Sequence, residues 1–250
     1  MEYLYQLNVV HECLRAQRRP VLQLLIARDT DAKAVQPILR LAETQRVRVQ
    51  TTTQQQLTTL TRGAIHQGVA LQVGPYPYVA LPDLLTQAMV KERLPLFLLL
   101  DLVQSPSNVG RLLRSAEAFG VSGVVLPERR AASIDANVAA ASMGASEHLL
   151  VAQVVNLVQA MQTLKEHEIW LAGLDLDRSA QPLTQVKLDL PLGIVVGNEG
   201  SGLRPLVRKT CDFLISIPMY GQVDSLNASV AGSIVLYQAR QQRTLLKNQT

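Results

Sequence analysis

Apolar positions change their period twice along this chain. Leu4, Leu7, Val10 and Leu14 fall near one face of a helix predicted over 4–17. VLQLLI at 21–26 predicts a strand, 32–44 a helix, VRVQ at 47–50 a strand, 54–60 a helix and VALQV at 69–73 a strand. Gly74-Pro75-Tyr76-Pro77 breaks both periods and marks the expected end of a small α/β domain. A connecting helix is predicted over 81–92. From residue 95 longer apolar strands alternate with helices. The strands are 96–102, 121–126, 169–174, 192–197 and 213–217; the helices are 107–119, 134–142, 155–167, 202–209 and 227–243. Runs as continuously apolar as LGIVVG belong to a parallel sheet covered on both faces. The last residues, RTLLKNQT, are expected to fray.

Composition narrows the class. Of 250 residues, 48% are apolar and 18% charged, which excludes a disordered tail, a collagen or a disulfide scaffold. No run of 18 apolar residues occurs; the densest stretch, Leu94 to Val103, is interrupted by Pro95 and Asp101. MEYLYQLNVVHEC lacks the basic-then-apolar pattern of a signal segment, and Cys13 and Cys211 form no metal or redox spacing. A cytoplasmic location is expected. Residues 1–72 carry nine Lys and Arg against five Asp and Glu, whereas 73–250 carry fifteen of each. The whole positive excess therefore sits in the first domain, as in a polyanion-binding module or an arginine-rich solvated surface.

Three segments end predicted strands at their carboxyl side, where open α/β sheets bind ligands. In LLLDLVQSPSNVGRLLRSAEAFG, residues 98–120, a Ser-Pro helix start is followed by an apolar face of Val109, Leu112, Leu113 and Ala116. Asn108 and Arg114 lie off that face; read singly, they brace a turn and meet solvent. In GIVVGNEGSGLRP, residues 193–205, Gly197, Gly200 and Gly202 permit close backbone approach to a ligand or simply form a tight turn. In FLISIPMYGQVDSLNASVAGSIVLYQ, residues 213–238, Ser225 or Asn227 is placed to cap the last helix, and Ala228, Ala231 and Gly232 suit close packing. His11, His66, His148 and His167 are scattered, and Tyr76 and Tyr78 sit in the Pro-rich break, either stacking on bases or packing against the domains.

Together and in this order, SPSNVGRLLRSAEAFGV, IVVGNEGSGL and ISIPMYGQVDSLNASVAGSIVLY resemble the three motifs of the SpoU (TrmH) family of RNA ribose 2′-O-methyltransferases, in the SPOUT superfamily. ASMGASEH at 141–148 resembles the stretch between the first two motifs, and NVVHECLRAQRRPV and GAIHQGVALQV resemble the substrate-binding domain of ribosomal RNA members. The resemblance implies an α/β fold in three parts: an RNA substrate-binding domain like a ribosomal protein at 1–74, a linker at 75–94, and a SPOUT methyltransferase domain at 95–250. That domain is expected to hold a parallel sheet with a deep trefoil knot and to form a homodimer.

The resemblance further implies S-adenosylmethionine as methyl donor, no metal, and a guanosine ribose of 23S ribosomal RNA as the target. Arg114 is the implied catalytic centre, paired with Asn108, with Glu199, Ser225 and Asn227 holding the arginine and the substrate. The donor is expected on Gly197, Asn198, Glu199, Gly200, Ile217, Met219, Ser225, Leu226 and Asn227. An arginine is a poor base because its pKa exceeds about 12, so its expected role runs through an RNA phosphate. Ser105 departs from the Asp usual before the Pro, but both residues cap helices. The alternatives are a transfer RNA 2′-O-methyltransferase, a ribosomal RNA enzyme conferring antibiotic resistance, and a catalytically silent RNA-binding protein of ribosome assembly. A small-molecule enzyme with a nucleotide cofactor would lack its Rossmann fingerprint here.

Overall fold

The computed structural model describes residues 2–177 and 179–247, with the side chains of 246 and 247 outside the description. In chain order the elements are β1 (Glu2–Tyr5), α1 (Leu7–Ala16), β2 (Val21–Ala27), α2 (Ala32–Thr44), β3 (Arg48–Thr52), α3 (Gln54–Leu60) and β4 (Val69–Val73). They continue with α4 (Leu81–Lys91), β5 (Leu96–Leu100), α5 (Pro106–Ala118), β6 (Gly123–Pro127), α6 (Ala136–Ala141), β7 (Val151–Val154) and α7 (Leu157–Glu166). The last are β8 (Trp170–Leu174), β9 (Gln181–Pro182), β10 (Leu192–Val196), α8 (Pro205–Thr210), β11 (Phe213–Ser216) and α9 (Ala228–Lys247).

These elements form two units: residues Met1–Pro77 with Ser133–His148, and Tyr78–Ala132 with Leu149–Thr250. The first unit holds a four-stranded sheet in the order β1-β4-β2-β3, antiparallel except for the β2–β3 pair. One face buries Leu4, Leu24, Leu71 and Val73 against Val9, Val10 and Leu14 of α1 and Val35 and Ile38 of α2. On the other, Leu57 of α3 covers Leu25, Ala27 and Ala70. The helix expected from residue 4 begins only at Leu7. Leu4 instead pairs with Leu71, and Gln6, at φ 76°, turns the chain between strand and helix. Leu4 satisfied both periods, and strand pairing decided between them.

Two expected domain limits shift. The segment Ser133–His148, expected in the carboxyl-terminal domain, belongs to the first unit. Ala139 of α6 joins its apolar core, and the buried Glu147 carboxylate receives Arg19 at 2.9 Å. Arg19 also meets Glu2 at 3.1 Å and lies 5.1 Å over the Tyr76 ring. The expected linker 75–94 is divided as well. Tyr76 is buried in the first unit, its hydroxyl donating to the Ser146 carbonyl at 2.8 Å. Helix α4 instead packs Leu84, Leu85 and Ala88 into the second core with Phe97, Val125 and Met161.

The second unit is the expected parallel α/β layer structure. Its seven strands run in the order β7-β6-β5-β10-β8-β11-β9, every neighbouring pair parallel. Strands β7 and β9 were not foreseen, being four and two residues long, too short for a periodic signal. The carboxyl ends of β5, β10 and β11 carry the three singled-out segments, and the sheet order sets β10 beside β5 and one strand from β11. The expected fraying of 243–250 fails at its start. Arg243 is buried and donates to the carbonyls of Leu188, Leu94 and Leu190 at 3.0, 3.0 and 2.6 Å, holding α9 helical to Lys247. Residues 248–250 lie outside the described residues.

Candidate active site

The first segment is helix α5 and its entry. Ser105 accepts the Asn108 N–H at 3.4 Å and Pro106 takes the first helical position, the expected start. Val109, Leu112, Leu113 and Ala116 are buried, again as expected. Asn108 departs from the expectation: it is buried beside the apolar face, because α9 presents polar partners to it there. Arg114, less than two turns further on, is exposed and makes no hydrogen bond or ion pair with another described residue.

The second segment leaves β10 and folds back on itself. The backbones of Asn198 and Gly202 pair in both directions, at 3.1 and 2.9 Å. A Cβ on Gly197 would stand 2.3 Å from the Gly202 carbonyl carbon and 2.6 Å from the Leu203 nitrogen, so only glycine closes this turn. The Asn198 carboxamide donates to the Leu102 carbonyl at 2.9 Å and accepts the Gly200 N–H at 3.0 Å, tying the loop to the end of β5. A second tie is the wholly buried Asp101, which accepts the Arg204 backbone N–H at 2.8 Å and its Nε at 2.7 Å. Asp101 and Arg204 were not singled out from sequence. The usable signal was a carboxylate interrupting the apolar run around β5.

The third segment closes the arrangement. Asn227 caps α9, its Oδ1 accepting the Ser229 N–H at 2.9 Å. Its Nδ2 donates to Asn108 Oδ1 at 3.2 Å and to the Glu199 carboxylate. One carboxamide thus joins all three segments, and the Ser229 hydroxyl, also missed from sequence, lies 2.5 Å from Asn227 Oδ1 and 3.3 Å from Asn108 Oδ1. Gly232 brings α9 close to the core, since a Cβ there would meet Leu112 at 2.5 Å and Val196 at 3.1 Å. Of the three small residues picked out on α9, Gly232 thus serves helix packing, whereas Ala228 and Ala231 face the neighbouring cleft.

That cleft, of about 410 Å³, opens beside the network. Gly197, Asn198, Glu199, Gly200, Ile217, Met219, Ser225 and Leu226 line it; Asn227 does not, but reaches it through Glu199. Asn108 and Arg114 are not among its lining. Ser225 lines the cleft and makes no hydrogen bond to another described residue. The rim holds Asp175, which Arg208 meets at 3.0 Å while reaching Asp177 at 2.9 Å. Hydrogen bonds from the Ser179 hydroxyl and backbone, helped by Arg208, hold the Asp177 carboxyl down at about 2. Burial pushes the Cys211 thiol up to about 12, which removes it as a nucleophile. No group of three metal-ligating side chains occurs among the described residues, and none of their helices is long and apolar enough to cross a membrane.

What this geometry offers is a cleft walled by glycine backbone and both apolar and polar side chains, a pinned amide–carboxylate network at its edge, and an uncommitted guanidinium on the same helix as Asn108. Comparison with known proteins identifies the architecture. Residues 95–237 match the model of the SpoU rRNA Methylase family, and residues 3–79 match that of the RNA 2′-O ribose methyltransferase substrate-binding domain. A Bacillus subtilis protein named as a TrmH family tRNA/rRNA methyltransferase is 38% identical over 242 residues, 97% of this chain and 96% of the relative. A Staphylococcus aureus protein named likewise is 40% identical over 224 residues, 90% of each chain. Among solved structures, the SpoU methyltransferase AviRb from Streptomyces viridochromogenes, in complex with the cofactor AdoMet, superposes with a TM-score of 0.79. The two are 25% identical, over 97% of this chain and 90% of that one.

Proposed function

Because the chain belongs to the SpoU rRNA methylase family, an RNA 2′-O-ribose methyltransferase lineage, we propose that it methylates a guanosine ribose 2′-hydroxyl of 23S ribosomal RNA. The observation that carries the reading is the Asn227 carboxamide joined to both Asn108 and Glu199 at the edge of the cleft. An RNA substrate is favoured by the substrate-binding domain match and by the positive excess of residues 1–72, and a ribosomal one by the description of the family that matches residues 95–237.

The cleft suits S-adenosylmethionine. Ile217, Met219 and Leu226 offer apolar surface to an adenine, while the turn at Gly197 to Gly200 offers backbone groups to its polar edges. A Cβ at Gly197 would jam that turn, and with it the floor of the cradle. When bound, the donor supplies a methyl made electrophilic by its sulfonium, so the protein's tasks are positioning and proton removal. Arg114 binds a substrate phosphate bidentately and so fixes the ribose. Asn108 and Asn227, locked by Ser229 and Glu199, fix the start of α5, the helix from which Arg114 projects. Ser225, on the cleft wall with its hydroxyl free of other described residues, orients donor or ribose. As the methyl bonds to the 2′-oxygen, the hydroxyl proton passes to an oxygen of the phosphate that Arg114 holds and from there to solvent water.

Family membership also supports a trefoil knot in the carboxyl-terminal part and a homodimer. For the dimer, α9 supplies a surface: Val230, Ile234 and Tyr237 are exposed apolar residues in one stripe beside Arg111 of α5. A second copy would cover them. Ile234→Asp is expected to shift the protein from dimer to monomer in sedimentation velocity; an unchanged dimer would place the interface elsewhere.

The activity is tested by transfer of labelled methyl from S-adenosylmethionine to unmodified 23S ribosomal RNA, with 16S and transfer RNA alongside. The product is mapped for a phosphodiester resistant to alkali. One resistant position in 23S RNA is expected, next to a guanosine. Label confined to transfer RNA would replace the substrate, and no label in any RNA with donor binding intact would favour a silent RNA-binding protein.

A further inference from the structure

The first unit carries a second cavity, on the sheet face turned away from α1 and α2. Strand alternation sends Leu4, Leu24 and Leu71 to the covered face, so their neighbours face the other way. The register aligns Tyr3 with Gln72, Gln72 with Gln23 and Gln23 with Arg48, one row crossing all four strands. The next row aligns Tyr5, Ala70, Leu25 and Gln50. Helix α3 covers only one end of this face, and a groove of about 610 Å³ stays open between α3 and the sheet.

The lining of this groove is chemically specific. Tyr3, Gln23, Leu25, Gln50, Gln55 and Thr59 line it, and none of the side chains along it is charged. The carboxamides of Gln23, Gln50 and Gln55 make no hydrogen bond with another described residue, whereas the Gln56 carboxamide, used in the cap of α3, does. Each free carboxamide offers both donors and an acceptor. Charge is held at the rim: Arg48 ends the first row, exposed and without an ion pair to any described residue.

We propose that this groove binds an unpaired stretch of RNA, one base stacked on Tyr3 with its edge read by Gln23, Gln50 and Gln55 and a flanking phosphate held by Arg48. A neutral groove with a basic rim fits a nucleotide, whose base is flat and uncharged and whose phosphate is not. It fits neither a phosphate alone nor an acidic peptide. Duplex RNA hides its base faces, so the occupant is single-stranded. The inference rests on the reading of the first unit as the RNA-binding module and adds where, and to what form of RNA, it binds.

Fluorescence anisotropy of the full-length protein tests it, with a labelled 12-nucleotide RNA of mixed, non-self-pairing sequence and the same RNA annealed to its complement. The single strand should bind more tightly. Tyr3→Ala should weaken single-strand binding about tenfold and leave the duplex unaffected, while Tyr3→Phe keeps the ring and the affinity. Gln55→Ala, at an exposed helix position, should weaken the single strand by about threefold. Arg48→Ala should lower the salt slope by about one. Survival of the first unit in limited proteolysis, at the protease ratio the wild type survives, reports in every variant that this unit is folded. Wild-type RNA binding untouched by Tyr3→Ala and Gln55→Ala would overturn the groove and spare the RNA-binding module. No binding of either RNA by the wild type would overturn both.

Discussion

Arg114 and Glu12 show how differently single residues are committed in this molecule. Arg114 has no partner among the described residues, so its removal leaves the fold intact and takes away a ligand contact. Arg114→Ala is expected to lower methyl transfer by at least about a hundredfold while S-adenosylmethionine affinity changes less than about twofold. Arg114→Lys should recover little, because an ammonium cannot form the two-pronged phosphate contact. Single-turnover methylation and calorimetry check the pair. Glu12 is a structural carboxylate, receiving His148 at 2.7 Å and His11 at 2.8 Å. Burial raises its pKa, but hydrogen bonds from the two histidines outweigh this and hold it below the ordinary 4.5. The stability it contributes is therefore full above pH 4.5 and is lost as pH falls through the lower folded value. Urea unfolding of Glu12→Gln at pH 6 and pH 3.5 should show a smaller loss on acidification than the wild type. An equal loss would assign acid sensitivity to other carboxylates.

Among the elements, α9 is held at both ends by polar side chains that serve different ends of the same sheet. At its start the Asn227 cap orders the site; near its end the Arg243 guanidinium satisfies three carbonyls in the segments leading into β5 and β10. Burial, with Arg240 nearby, lowers the Arg243 pKa to about 10, so it stays charged at neutral pH. Arg243→Met fills the volume but leaves three acceptors without donors. It is expected to cost about 3 kcal/mol in equilibrium unfolding while leaving the chemistry of Arg114 unchanged per folded molecule. An unfolding free energy changed by less than about 0.5 kcal/mol would show the carbonyls solvated instead.

At the scale of the molecule, the first unit is built from two stretches of chain. Truncation to 75–250 removes the partners of Ala139 and Glu147 along with the amino-terminal domain, and leaves Ser133–His148 uncovered. The truncated protein should be cut by trypsin or chymotrypsin within or beside 133–148 at protein-to-protease ratios where the full chain survives, and should bind a hydrophobic dye. Survival of that segment would mean it orders without the first unit. Part of the local geometry was legible beforehand: Ser105-Pro106 announces a helix start, Gly197 belongs to a glycine run that suits a tight turn, and Asn227 is one of two cap candidates with Ser225. Asp101, Arg204 and Ser229 were not, because each draws its meaning from a partner remote in sequence. The alternation of the longer strands and helices, the Ser105-Pro106 helix start and the charge excess of the first third follow from neighbours along the chain, and these the sequence determined by itself. Leu4 joining a strand, the chain returning at Ser133 to complete the first unit, and Asn108, Glu199 and Asn227 meeting beside one cleft were decided by tertiary structure. There the outcome turns on which distant surfaces bury one another and which buried polar groups find partners, and neither quantity is encoded at any single position.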